Sequence, residues 1–134
     1  MILVDTSVWI DFFSSSPGRA GSELRRMIDE IEPVALTGVV VTEVLQGLTR
    51  DVKRIEDFLS MWDLLEPRGF STYREASAIF RLARSKGISL TTIDTLIAAT
   101  ALENHAILFS LDKDFSHVAR MTALQLHPLP EFSA

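Results

Sequence analysis

A chain of 134 residues is long enough to bury a core as one domain, and its formal net charge of −5 argues against a protein that coats nucleic acid. It contains no cysteine, which excludes disulfides, thiolate zinc sites and a cysteine nucleophile. No apolar stretch reaches transmembrane length, and the first residues lack the basic flank and cleavage site of a signal peptide, so a cytoplasmic location is expected.

The opening run Ile2 to Val4 reads as a buried central strand, yet it ends in Asp5. A carboxylate beside a core is costly unless something neutralises it. "SVWIDFF" follows as a helix with Ser7 placed to cap it, then a turn-rich loop "SSSPGRAG" and an amphipathic helix "SELRRMIDEI". A second strand is predicted over 34–36, ahead of an apolar helix "VVVTEVLQGL" that carries Glu43 and Gln46. The next helix sets Ile55, Phe58, Leu59 and Trp62 on one face, and 64–66 reads as a short strand before Pro67. Tyr73, Ala76, Ile79, Phe80 and Ala83 share a face of a further helix that Gly87 stops. A helix over "TTIDTLIAATALENH", a strand at 106–109 and a weaker one at 123–126 complete the pattern.

Strands alternating with helices predict an α/β fold, with a mostly parallel central sheet flanked by helices on both faces. No repeat or linker divides it, so a single domain over 1–134 is expected. Ligands of such sheets bind beyond the carboxyl ends of the strands. Asp5 and Asp112 both project to that edge.

Four acids stand out because each ends or interrupts an apolar segment: Asp5, Glu43, Asp94 and Asp112. Singly, each has a structural explanation. Asp5 can bond the turn after it, Glu43 can face solvent beside Gln46, Thr91-x-x-Asp94 fits a capping box, and Asp112 can cap the helix leading to Phe115. Together they suggest convergence on one pocket, where carboxylates raise one another's pKa unless a cation is present. Hard divalent ions such as Mg²⁺ and Mn²⁺ prefer oxygen ligands and would supply Asp5 with its partner. The other sites fare worse. His105, His117 and His127 lack ligand spacing, and no phosphate-binding glycine loop or nucleophile elbow appears.

The blocks "LVDTSVWID", "TEVLQG" and "IDTLIAATALENHAILFSLDKDF" resemble, in order and spacing, the signature segments of the PIN-domain family, most of all the ribonuclease toxins of VapBC-type toxin–antitoxin pairs. The resemblance runs from near residue 1 to about residue 118; the tail "LPEFSA" adds no motif. It implies that Asp5, Glu43, Asp94 and Asp112 form the acidic quartet holding one or two Mg²⁺ or Mn²⁺ ions, with Asp114 as a helper to Asp112. Thr6 and Ser7 match the small polar residues after the first aspartate, and Ser110 stands where the family often has threonine; these three would support the acids. The activity implied is endoribonuclease hydrolysis of RNA phosphodiesters, leaving 5′-phosphate and 3′-hydroxyl ends. The partners implied are an RNA substrate, a neutralising antitoxin and a second copy in a homodimer.

Setting aside the five candidate acids leaves thirteen acidic against thirteen basic residues, which softens the objection from net charge. Arg74, Arg81 and Arg84, near one side of a predicted helix, offer contacts to an RNA backbone, against the plainer reading of a solvated face. Trp9, Phe12, Phe13 and Trp62 are expected in the core. Two other functions fit the same residues: a nuclease acting on DNA or structured RNA in processing, and a non-catalytic binding module.

Overall fold

The strand at Val34–Thr37 (β2) is buried at all four positions, which a strand achieves only when both faces of its sheet are covered. In a computed structural model describing residues 1–130, β2 is one of four strands. The others are β1 (Ile2–Val4), β3 (Asp63–Leu65) and β4 (Ile107–Phe109), in the order β3-β2-β1-β4, and every pairing is parallel. Two helices follow β1, α1 (Thr6–Phe13) and α2 (Arg19–Asp29); two follow β2, α3 (Gly38–Gln46) and α4 (Val52–Leu59). After β3 come α5 (Phe70–Ser85) and α6 (Thr92–Glu103), and α7 (Asp114–Met121) follows β4. The predicted α/β architecture is the one observed.

The connections step outward from β1 to β2 to β3, then return to place β4 on the other side of β1. Between β1 and β4 the order therefore reverses, and in open α/β sheets the crevice for a ligand lies beyond the strand ends at such a point. The register Val4↔Phe109 brings Asp5 and Ser110 side by side at that crevice. The Asp5 N–H continues the ladder to the Phe109 carbonyl at 2.9 Å.

Beneath the crevice, Trp9 on α1 is fully buried and its indole N–H donates to the Val4 carbonyl at 3.2 Å. Phe12, Phe13, Phe58 and Trp62 surround it, with ring centroids 6.0 to 6.5 Å from its own. This aromatic group ties α1 to α4. As α4 ends at Leu59, Trp62 reaches the group from the turn before β3 rather than from the helix itself.

Helices α1 and α2 approach closely at Gly21, where a Cβ would lie 3.0 Å from the backbone of Asp11 and Phe12. The same Asp11 carboxylate accepts the N–H groups of Gly18 and Gly21, at 3.0 and 2.7 Å, and so satisfies orphan donors at the start of α2. At the far end of the chain, His127 pairs with Glu23 of α2 at 2.7 Å. Arg26 and His127 hold the Glu23 carboxyl below its usual range, Arg26 being the larger influence.

Four expectations are corrected. Ser7 is not the cap of α1; Asp5 occupies the cap position, and Ser7, inside the first turn, bonds Asp5 and the β4 loop instead. The strand expected at 123–126 reduces to one bridge, Leu108↔Leu126, because Leu124 and Leu126 pack on the core without forming a ladder. Phe12, Phe13 and Trp62 are half-buried, packed against the core rather than enclosed in it. Tyr73 shares its helical face with core residues but is 52% exposed, in the first turn of α5. Gly87, with φ +74, ends α5 as expected. No helix among the described residues is long and apolar enough to cross a membrane. The last four residues of the tail segment lie outside the described residues.

Candidate active site

Asp5 directly follows β1 and is only 6% exposed. Its Oδ2 accepts the Ser110 hydroxyl at 2.7 Å and, more weakly, the Ser7 hydroxyl at 3.4 Å. These are neutral donors. Burial raises the Asp5 pKa above its ordinary value; the Ser110 hydroxyl and the Thr6 N–H oppose that shift, while the nearby charges of Glu43 and Asp112 add to it. The sequence therefore places a carboxylate where water cannot solvate it fully and surrounds it with further carboxylates.

Each neighbour arrives from a different element. Glu43 projects from α3 and accepts the Thr6 hydroxyl at 2.8 Å, so the residue after Asp5 holds the second acid in place. Asp94 sits in the first turn of α6, where it completes a capping box with Thr91: its N–H donates to the Thr91 hydroxyl at 3.1 Å, and its Oδ2 accepts the Thr91 N–H at 3.4 Å. Burial is also the main cause of a raised Asp94 pKa, with Asp112 and Asp114 adding repulsion. Asp112 and Asp114 lie at the turn from β4 into α7, where the Asp112 carboxylate accepts the Asp114 N–H at 2.9 Å. The structural and functional readings of Asp94 and Asp112 are thus compatible: the hydrogen bonds that cap helices also fix the carboxylates.

Carboxylate oxygens from Asp94, Asp112 and Asp114 all lie within 4.8 Å of one another. Asp112 is the acid shared between this trio and the Asp5–Glu43 side, since it raises the pKa of both Asp5 and Asp94. Asp5 and Glu43 stand outside that trio, and Asp5 feels the charges of Glu43 and Asp112. A second network braces the acids. Ser110 accepts the Asp112 N–H at 3.0 Å while donating to Asp5, and Ser7 accepts the Leu111 N–H at 3.0 Å. Thr6, Ser7 and Ser110 thus touch the acids or the loop that carries them. The donor set is all oxygen, clustered and negatively charged, and this fits a hard divalent cation.

The three arginines expected to contact a phosphate backbone all lie on α5, Arg74 and Arg81 two turns apart on one face. Arg81 and Arg84 line a groove between α5 and α6, whereas Arg74, one position past Tyr73, is not among the residues lining it. That groove, with Tyr73, Phe80, Thr92 and Thr95, was not read from the sequence. The signal was present: Tyr73, Phe80 and Arg84 recur at seven- and four-residue spacing, one stripe of a helix.

The acids beyond the carboxyl edge of this parallel sheet, at the point where strand order reverses, occupy the place where open α/β sheets bind their ligands. The chain belongs to the PIN domain family, whose sequence profile it matches over residues 2–121. It is similar to the VapC ribonuclease Mb1587 of Mycobacterium bovis and to ribonuclease VapC11 of Mycobacterium tuberculosis. Each is 33% identical over 129 residues, covering 93% of this chain and 96% of the relative. Among solved structures, the fold resembles VapBC2 from Rickettsia felis, bound to a DNA fragment from its promoter, with TM-score 0.74 and 18% identity over 95% of this chain and 98% of that one. It also resembles VapC20 from Mycobacterium tuberculosis, described as a toxin cleaving the sarcin–ricin loop, with TM-score 0.65 and 17% identity over 88% of this chain and 95% of that one.

Proposed function

We propose that this chain is a divalent-metal-dependent endoribonuclease, the toxin of a toxin–antitoxin pair acting in the cytoplasm, and that Asp5, Glu43, Asp94 and Asp112, with Asp114, are the residues that hold its metal. The observation that carries the reading is the Asp5 carboxylate, buried among other acids with only neutral donors for support. The relatives, which share a third of their residues with this chain over nearly its whole length, are named as ribonucleases, and the VapBC assemblies of the same fold support an antitoxin partner. Mg²⁺ or Mn²⁺ bound here would supply the positive charge that activates water and offsets charge on the phosphate.

The chain's own residues do the rest. Ser110 and Ser7 keep the Asp5 carboxylate turned toward the crevice, and Thr6 does the same for Glu43. The capping box fixes Asp94 on rigid helix rather than on loop. Asp112 is pinned at both its N–H and its carboxylate. Preorganised in this way, the acids need little rearrangement when a phosphate enters.

The decisive test is RNA cleavage with and without EDTA. Cleavage should vanish in excess chelator and return with added Mg²⁺ or Mn²⁺; equal cutting in EDTA overturns the proposal. Ser110 supplies a finer check. Ser110→Ala removes the closest donor to Asp5 and the acceptor of the Asp112 N–H. A loss of about 10- to 100-fold in cleavage rate is expected, as for other residues that orient metal-binding groups. Ser110→Thr keeps the hydroxyl and should stay close to the parent rate, measured on the same labelled RNA.

A further inference from the structure

β4 lies at the edge of the sheet, with β1 as its only strand neighbour among the described residues. An edge strand leaves a row of backbone groups without partners. Here the tail of the chain supplies two. The Leu108 N–H donates to the Gln125 carbonyl at 2.9 Å, and the Leu108 carbonyl accepts the His127 N–H at 2.8 Å. A three-residue strand is thereby held on both sides, by β1 within and by one bridge without.

The His127 side chain fastens that bridge to α2. Its ring packs on the fully buried Phe109 ring, with centroids 4.8 Å apart, and its Nε2 lies 2.7 Å from Glu23 Oε2. The His127 and Glu23 side chains are only 16% and 9% exposed. Arg26, bonded to the other Glu23 oxygen at 2.6 Å, is the main reason that carboxyl is held below its usual range and stays ionised at neutral pH. An ionised carboxylate only accepts, so Nε2 of His127 is the donor. Arg19 of the same helix donates to the Pro130 carbonyl at 3.0 Å, a second tether on the tail. α2 is itself fixed on α1 by the Asp11 bonds to Gly18 and Gly21.

The acids of the site come from both ends of the chain, and Phe109 is where this tie meets them. Its ring carries His127, its carbonyl accepts the Asp5 N–H at 2.9 Å, and the next residue is Ser110, which bonds Asp5. We propose that Glu23 and His127 are positioning residues of the nuclease site, a clamp that holds the outer edge of β4 and so sets Ser110 and Asp112 against Asp5. The proposal rests on the endoribonuclease reading. It adds to that reading two residues and a tail segment, 125–130, that the signature blocks do not contain.

The test follows two readouts in each variant: kcat and KM for cleavage of labelled RNA with Mg²⁺, and backbone amide exchange in EDTA. His127→Phe keeps a ring against Phe109 and removes the bond to Glu23. It should lower kcat about 10-fold, the lower end of the cost of losing a partner that orients a metal-binding group, with KM unchanged. Exchange should quicken at Asp5 and Asp112, whose N–H groups bond the Phe109 carbonyl and the Ser110 hydroxyl, while the β2 amides keep their protection. His127→Gln carries an amide that can donate to Glu23 and should restore both kcat and protection. Glu23→Leu, in which Arg26 keeps Glu30 and Glu32 as partners, should match His127→Phe. The double variant should be no worse than either, as for two residues that act through one contact.

Variants that cut RNA at the wild-type rate, whatever their exchange, overturn the clamp alone. Variants in which the β2 amides lose protection together with Asp5 and Asp112 assign the pair to general stability and overturn it too, as does a raised KM with kcat unchanged. A wild type that does not cut RNA overturns the nuclease reading, and the positioning role falls with it.

Discussion

Asp5→Asn is expected to lower RNA cleavage by more than about 100-fold, exceeding the loss for a residue that only orients a metal-binding group. It should at the same time make the metal-free protein more stable. The two effects share one cause. Burial, reinforced by Glu43 and Asp112, holds the folded-state pKa of Asp5 above its unfolded value. A raised folded pKa contributes stability that is full below the unfolded pKa and is lost as pH rises through the folded one. At neutral pH the ionised carboxylate therefore opposes folding until a cation neutralises it, and asparagine removes that opposition while still accepting the Ser110 hydroxyl. Thermal melts in EDTA should show Asp5→Asn a few degrees above the parent at pH 7, with the gap closing as the pH is lowered toward the ordinary carboxylate range. Added Mn²⁺ should raise the parent melt and leave the variant nearly unmoved. A variant that melts lower than its parent in EDTA at neutral pH would show that the site is not strained by its own charge. Asp94, also raised chiefly by burial, should behave in the same direction.

The largest loss of stability is expected at Trp9. Truncation to alanine should cost about 3–5 kcal/mol, the range for a buried large aromatic, and lower the melting temperature on the order of 10–20 °C. The indole is enclosed by four other rings and its N–H satisfies the Val4 carbonyl at the end of β1. Trp9→Phe separates those contributions. It keeps most of the apolar volume but leaves that carbonyl unpaired, at a cost of about 1–3 kcal/mol. The Trp9 backbone N–H separately donates to the Asp5 carbonyl at 3.3 Å, so α1 begins directly at the end of β1. Denaturant melts give the stabilities, and cleavage at low temperature should stay near the parent rate in whatever fraction remains folded.

Much of this was legible in residue order. Parallel strands buried on both faces advertise themselves as short apolar runs, and those read at 2–4, 34–36 and 106–109 fall on β1, β2 and β4 to within a residue at either end. Asp5, Glu43, Asp94 and Asp112 drew attention because a charge within apolar sequence contradicts its surroundings. What stayed hidden depended on spatial partners. Nothing local distinguishes a serine that caps a helix from one that reaches across to the neighbouring strand, so Ser7 was assigned to the nearer task. Asp11, which anchors the start of α2 from seven residues away, carries no pattern of its own. Residues 123–126 have the composition of a strand, but pairing requires a partner in register, and only Leu126 finds one. The α5–α6 groove was missed because the spacing of Tyr73 with Ala76, Ile79 and Phe80 looks like core, whereas Tyr73 is half-exposed and lines the groove.

The strand order has a further effect during synthesis. β4 takes its place beside β1 last, and Asp112 leaves the ribosome more than a hundred residues after Asp5. A nascent chain halted before Ile107 lacks the strand that positions Ser110 and the acids beyond it, however well its first half has folded. The acid cluster therefore cannot be complete until β4 and the turn after it have been made, and a folding defect in the first half of the chain reaches it through β1.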